Sequence, residues 1–260
     1  MPQQSAAKQF WVISTVLASA LAATVTLSGC EAVDAITQKL PLPWLNHPAT
    51  PEGPASASGS GTNGSSSSSG DANSLKKHID VGNKYATSGQ WQAAIDEFKQ
   101  VLAVDPRNAT AHVQSGWAYA ELKQWDEAKT HLLSAVALSP DNASAHSNLA
   151  WVYAEQKHWD EAQEEAKQAI DLDGKNAYPH ATLAWAYQST GQNDLAVAEY
   201  EKSLELNPKL EQSSLAAGIL YCNAGQKPRA EAKLKTLTQQ NSPKASELQA
   251  RIQKGCSVKK

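Results

Sequence analysis

Apolar and small residues return along this chain in a fixed order. The windows 75–108, 109–142, 143–176 and 177–210 carry one pattern with a period of 34 residues and no insertion, and a weaker copy spans 211–244. In each window the fourth, seventh, eighth and eleventh positions share one face of a 3.6-residue period, which predicts a first helix over about positions one to fourteen. A second helix is expected over about eighteen to thirty-one. The eighth position is small in every copy (Gly82, Gly116, Ala150, Ala184, Gly218), the eleventh is tyrosine (Tyr85, Tyr119, Tyr153, Tyr187, Tyr221), and the twentieth is alanine (Ala94, Ala128, Ala162, Ala196, Ala230). Small residues at eight and twenty let the two helices approach closely, and the tyrosine fills the space beside them. A turn is expected near Gly89, Lys123, Lys157, Gly191 and Gly225, and Pro106, Pro140, Gly174 and Pro208 close their units. A unit of this size cannot bury its apolar face alone, so the period implies a stacked solenoid.

These positions resemble the tetratricopeptide repeat (TPR) family over about 75–244. The resemblance implies an all-α, right-handed α-solenoid of five helix pairs, with 245–260 as a capping helix and basic tail. It also implies a concave groove lined by the face of each first helix opposite the paired helix. At the ninth position this face carries Asn83, Trp117, Trp151, Trp185 and Ile219; at the sixth, Gln114, Asn148 and Thr182; at the thirteenth, Glu121 and Glu155. Three tryptophans one repeat apart, flanked by polar side chains, have the composition of an interface hot spot. The expectation is a groove that holds a peptide or helix of a partner protein through Trp117, Trp151 and Trp185. Trp91, Trp125 and Trp159, at the seventeenth position, belong to the packing of the motif, and the fifth copy departs with Lys227 there. The family's carboxylate clamp is missing, since only Asn83 and Asn148 fall at clamp positions, and chaperone-tail binding is not expected.

Ahead of the repeats, Lys8 is the only charge before an uncharged run from Phe10 to Leu27, and Leu27-Ser28-Gly29-Cys30 follows. A basic start, an apolar middle and small residues before a cut make a secretory signal over 1–29. Its end resembles the lipobox of bacterial lipoproteins, which implies a lipid on Cys30 and a site in the cell envelope facing the periplasm. Residues 51–73 hold 8 Ser and 5 Gly. Such composition cannot bury enough apolar area to offset its chain entropy, so 30–74 is expected to be a flexible, lipidated tether.

Charge is uneven along the chain. Residues 75–210 hold 12 Lys+Arg and 19 Asp+Glu, a net of −7, whereas 211–260 hold 9 and 3, a net of +6. The overall −3 gives no argument for nucleic acid. Opposite charge at the two ends admits a second reading, a self-associating lipoprotein whose arrays stack head to tail. Cys222 and Cys256 remain once Cys30 is lipidated, and thiols left outside the cytoplasm often pair. Both fall at the twelfth position of neighbouring first helices, where the spacing exceeds the roughly 4.4–6.8 Å between Cα atoms that a bridge needs, unless the terminal helix shifts. His78, His112, His146 and His180 recur at the fourth position. Neighbouring units stand roughly 10 Å apart, too far to share a metal, and the position faces the paired helix, so they are expected to be packed or hydrogen-bonded. His131 fits no shared pattern. No phosphate loop, zinc-protease motif or nucleophile elbow is present. Asp126-Glu127 and Asp160-Glu161 suit helix starts, and Asn108 and Asn142 suit turns better than glycan sites. No catalysis, cofactor, metal or small-molecule substrate is expected.

Overall fold

The computed structural model describes residues 69–256. Among them the chain forms eleven helices and no strand: α1 (Ser69–Thr87), α2 (Trp91–Val104), α3 (Ala109–Glu121), α4 (Trp125–Leu138), α5 (Ala143–Glu155), α6 (Trp159–Leu172), α7 (Ala177–Ser189), α8 (Asn193–Leu206), α9 (Glu211–Asn223), α10 (Lys227–Gln239) and α11 (Lys244–Gln253). Each odd-numbered helix from α1 to α9 pairs with the next, each pair packs on its neighbour, and α11 closes the array against α9 and α10. This is an all-α solenoid of stacked helix pairs.

Local chemistry sets each boundary. Asn108, Asn142 and Asn176 cap α3, α5 and α7, their side chains accepting from the backbone N–H of Ala111, Ala145 and Tyr178. The turn inside each pair is closed by the N–H of the residue after the turn donating to the tyrosine carbonyl: Gln90 to Tyr85, Gln124 to Tyr119, His158 to Tyr153, Gln192 to Tyr187 and Gln226 to Tyr221, at 2.8–2.9 Å. That bond requires a left-handed residue before it. Gly89, Gly191 and Gly225 adopt this conformation without a Cβ penalty, whereas Lys123 (φ 59°) and Lys157 (φ 63°) adopt it with one. Both lysines are exposed. Left-handed geometry costs a non-glycine residue about 1–2 kcal/mol, partly offset by glycine's larger unfolded-state entropy. Lys157→Gly should therefore stabilise the array by roughly 0.5–1 kcal/mol, and a drop in melting temperature would refute this account of the turn.

Glycine at the eighth position is demanded by contact. A Cβ on Gly82 would lie 2.5 Å from Phe98 Cε1, one on Gly116 2.6 Å from Leu132 Cγ, and one on Gly218 2.5 Å from Leu248 Cδ2. In the first two units the filler comes from the paired helix. In the fifth it comes from α11, so the terminal helix completes the last pair.

Two boundaries differ from the sequence expectation. The first helix begins at Ser69, six residues inside the stretch assigned to the tether. Residues 72–74 are exposed, and helical backbone bonding extends there ahead of the first packing contact. The capping helix ends at Gln253, before Cys256. Gly255, at φ 100°, turns the chain back, so Cys256 lies beyond the helix and not at its twelfth position. The turn brings the Cα atoms of Cys222 and Cys256 to 4.5 Å, and the two form a disulfide. Cys30 and the rest of the signal and tether up to residue 68 lie outside the described residues.

Candidate functional site

The ninth-position side chains project from α3, α5 and α7 toward the unit before. Each tryptophan meets the seventeenth-position tryptophan of that unit edge to face: Trp91 with Trp117 at 4.9 Å and 76°, Trp125 with Trp151 at 5.9 Å and 86°, Trp159 with Trp185 at 5.4 Å and 71°. The geometry puts the positive ring edge of one indole on the negative face of the other. It corrects the expectation of three open indoles. Trp117 is only 4% exposed, enclosed with Phe98, Ala94 and Trp91. Trp151 and Trp185 are partly exposed. The seventeenth-position residue of the preceding unit covers the ring, so the row is first an inter-unit seam.

Two carboxylates complete the seam. Trp117 Nε1 donates to Glu121 Oε1 and Trp151 Nε1 donates to Glu155 Oε1, both at 3.3 Å. Burial pushes the pKa of both glutamates up, and the indole bond pulls in the opposite direction, assisted at Glu155 by Lys123. Neither carboxylate forms an ion pair among the described residues. At the sixth position Asn148 and Thr182 are 9% and 4% exposed, yet neither side chain bonds another described residue. Gln114, Asn83 and Ile219 are partly exposed. The structure thus buries three of the ten predicted groove residues and leaves the other seven partly open.

The fourth-position histidines bond within their own units. Nδ1 of His78, His146 and His180 meets Glu97, Glu165 and Glu199 at 2.6–2.7 Å. These glutamates share the twenty-third position, an in-phase signal that was readable in the sequence. The second unit has His131 there instead, and its Nδ1 lies 3.1 Å from that of His112. His131 also stacks on Tyr119. Burial, then His112 and Lys99, push the His131 pKa down to about 4. A base held neutral in the fold binds fewer protons than in the unfolded chain, so its contribution is intact above about pH 6.5 and is lost as pH falls toward 4. The full shift sets a ceiling of about 3 kcal/mol, which screening at this partly exposed site reduces to about 1–2 kcal/mol. Urea titrations at pH 7 and 4.5 should show wild type losing that much more stability than His131→Gln, and equal losses would remove His131 from the pH response. No cluster of three or more His, Cys, Asp or Glu suited to a metal occurs among the described residues. No helix among them is long and apolar enough to cross a membrane.

Comparison with known proteins defines the class. The profile of the TPR repeat matches residues 82–122 and 116–157, and that of the tetratricopeptide repeat matches 143–176 and 178–210. The chain therefore carries tetratricopeptide repeats, a fold that typically serves as a non-catalytic protein-interaction scaffold. No curated protein matches the chain. Among solved structures, that of MamA is 26% identical with a TM-score of 0.53, covering 68% of this chain and 98% of its own. PilF of Pseudomonas aeruginosa is 22% identical with a TM-score of 0.61, covering 65% and 78%. TTC0263, a TPR protein of Thermus thermophilus, is 19% identical with a TM-score of 0.57, covering 69% and 99%. The last two likenesses concern the fold.

Proposed function

We propose that this chain is a lipid-anchored adaptor of the bacterial cell envelope that holds a segment of a partner protein along the inner face of its repeats. The observation that carries this reading is the pair of polar side chains on α5 and α7, Asn148 and Thr182, which bond no other described residue, next to the partly open indoles of Trp151 and Trp185. An amide and a hydroxyl not engaged within the array are free to pair with a bound backbone. The Leu27-Ser28-Gly29-Cys30 motif supports the anchor, and the Cys222–Cys256 bridge supports an oxidising compartment. Assembly of a pilus, secretion or cell-wall complex would suit an adaptor on such a tether.

Because Trp117 is enclosed, mutating the tryptophans would confound binding with folding. A photo-crosslinking residue at Gln114, on the groove side, tests the reading against one at Leu133, which is 44% exposed on α4. Capture in envelopes at Gln114 and not at Leu133 is the expected result, and equal capture at both positions would count against the groove. Metabolic labelling with a fatty acid should mark wild type and not Cys30→Ser, and an unlabelled wild type would refute the lipid.

A further inference from the structure

The inner face carries an unanswered charge. Glu121 and Glu155 recur one unit apart on α3 and α5, each on the same helix face as its tryptophan four residues earlier. Each spends Oε1 on an indole N–H, and neither has a cationic partner among the described residues. The nearest lysine to act on Glu155, Lys123, is exposed and makes no ion pair itself. Elsewhere on this array, four partly buried glutamates are answered by a histidine or lysine, and Glu211 accepts from the Ser242 hydroxyl. Glu97, Glu165 and Glu199 meet histidines, and Glu201 meets both Lys233 at 2.6 Å and the Tyr221 hydroxyl at 2.8 Å. Withdrawing a carboxylate from water without a counter-charge is unfavourable, and Glu121 and Glu155 have only an indole N–H each.

We propose that the groove selects an extended, basic segment of its partner, seating lysine or arginine side chains one repeat apart against Glu121 and Glu155. The proposal rests on the groove reading above and names the chemistry of its occupant. Three observations converge on it. The carboxylates supply charge, within a span 75–210 whose net is −7. The partly exposed indoles of Trp151 and Trp185 supply faces that favour cations and the aliphatic stems of long basic side chains. Asn148, 9% exposed and without a bond to any described residue, supplies a donor and an acceptor for an extended backbone running past it. Neighbouring first helices lie roughly 10 Å apart, and an extended polyproline II segment advances roughly 3.1 Å per residue with three residues per turn, so side chains three apart share one face. Basic residues three apart therefore match successive seats.

The probe is a nonapeptide with lysines at its fourth and seventh positions among leucine, proline and glycine, compared with the same peptide bearing glutamine at both. Binding is measured to the full chain in detergent by fluorescence anisotropy, for wild type and for the Glu121→Gln/Glu155→Gln double variant. Glutamine keeps the acceptor for each indole N–H, and circular dichroism checks the fold. Wild type should prefer the lysine peptide by about tenfold or more, and the double variant should lose that preference. Equal affinity for the two peptides, or a preference that survives in the variant, would overturn the inference. Crosslinking of either peptide at Gln114 separates the two levels. Crosslinking without a lysine preference rejects the basic occupant alone, and no crosslinking of either peptide rejects the groove as well.

Discussion

Loss of the Cys222–Cys256 bridge is expected to free α11 while the rest of the array stays folded. The bridge joins residues 34 apart. Closing a loop of that length removes unfolded-state entropy worth about 3–4 kcal/mol in the chain model. In a solenoid each unit touches only its neighbours, so an end helix has one interface to hold it. That interface is small: α11 buries only Leu248 and Ile252. Leu248 fills the notch left by Gly218, and Arg251 donates to the Asn223 side chain next to the bridge. In Cys256→Ser, hydrogen exchange across Lys244–Gln253 should accelerate by about a hundredfold or more, with little change in α3 to α6. The melting curve should broaden at its low-temperature side as the cap opens first. Unchanged protection of α11 would mean that the Leu248 contact alone holds the cap, and the bridge would then have no stabilising role.

The period made the fold legible. Thirty-four residues between tyrosines, small residues at eight and twenty, and punctuation at Pro106, Pro140 and Pro208 specify helix pairs before any contact is known. The site was legible only in part, because its decisive contacts cross from one unit to the next. Position within a window puts Trp117, Trp151 and Trp185 on the inner face, and it says nothing of what the preceding unit lays over them. Trp91 reaches Trp117 from 26 positions earlier, a separation set by how the units stack and not by the helical period. The pairs of Glu97, Glu165 and Glu199 with their histidines lie within a unit and recur in phase, so His131 looks patternless only until it is seen in the glutamates' place. Cys256 was misplaced because the repeat phase was carried through Gly255, where the helix has already ended.

Trp117→Ala should cost about 3–5 kcal/mol of stability, as expected for removing a large buried aromatic side chain. The ring is 4% exposed and shares its enclosure with Trp91, Phe98, Ala94 and Ala86. Its edge-to-face contact with Trp91 adds about 0.5–1.5 kcal/mol beyond area burial. A double-mutant cycle with Trp91→Ala should return a coupling of that size, because each mutation alone already breaks the pair. Trp117→Phe keeps one ring against Trp91 and removes the N–H donated to Glu121 together with the indole's second ring. It should recover most of the loss while leaving the Glu121 carboxylate unbonded. Trp185, partly exposed and with serine at the position where the other two have glutamate, should cost clearly less as alanine. A Trp117→Ala protein as stable as wild type would return this indole to the groove and make it a contact for the partner. A strongly destabilised one would leave recognition to Trp151, Trp185 and the two glutamates, with Trp117 serving to hold their helices in register.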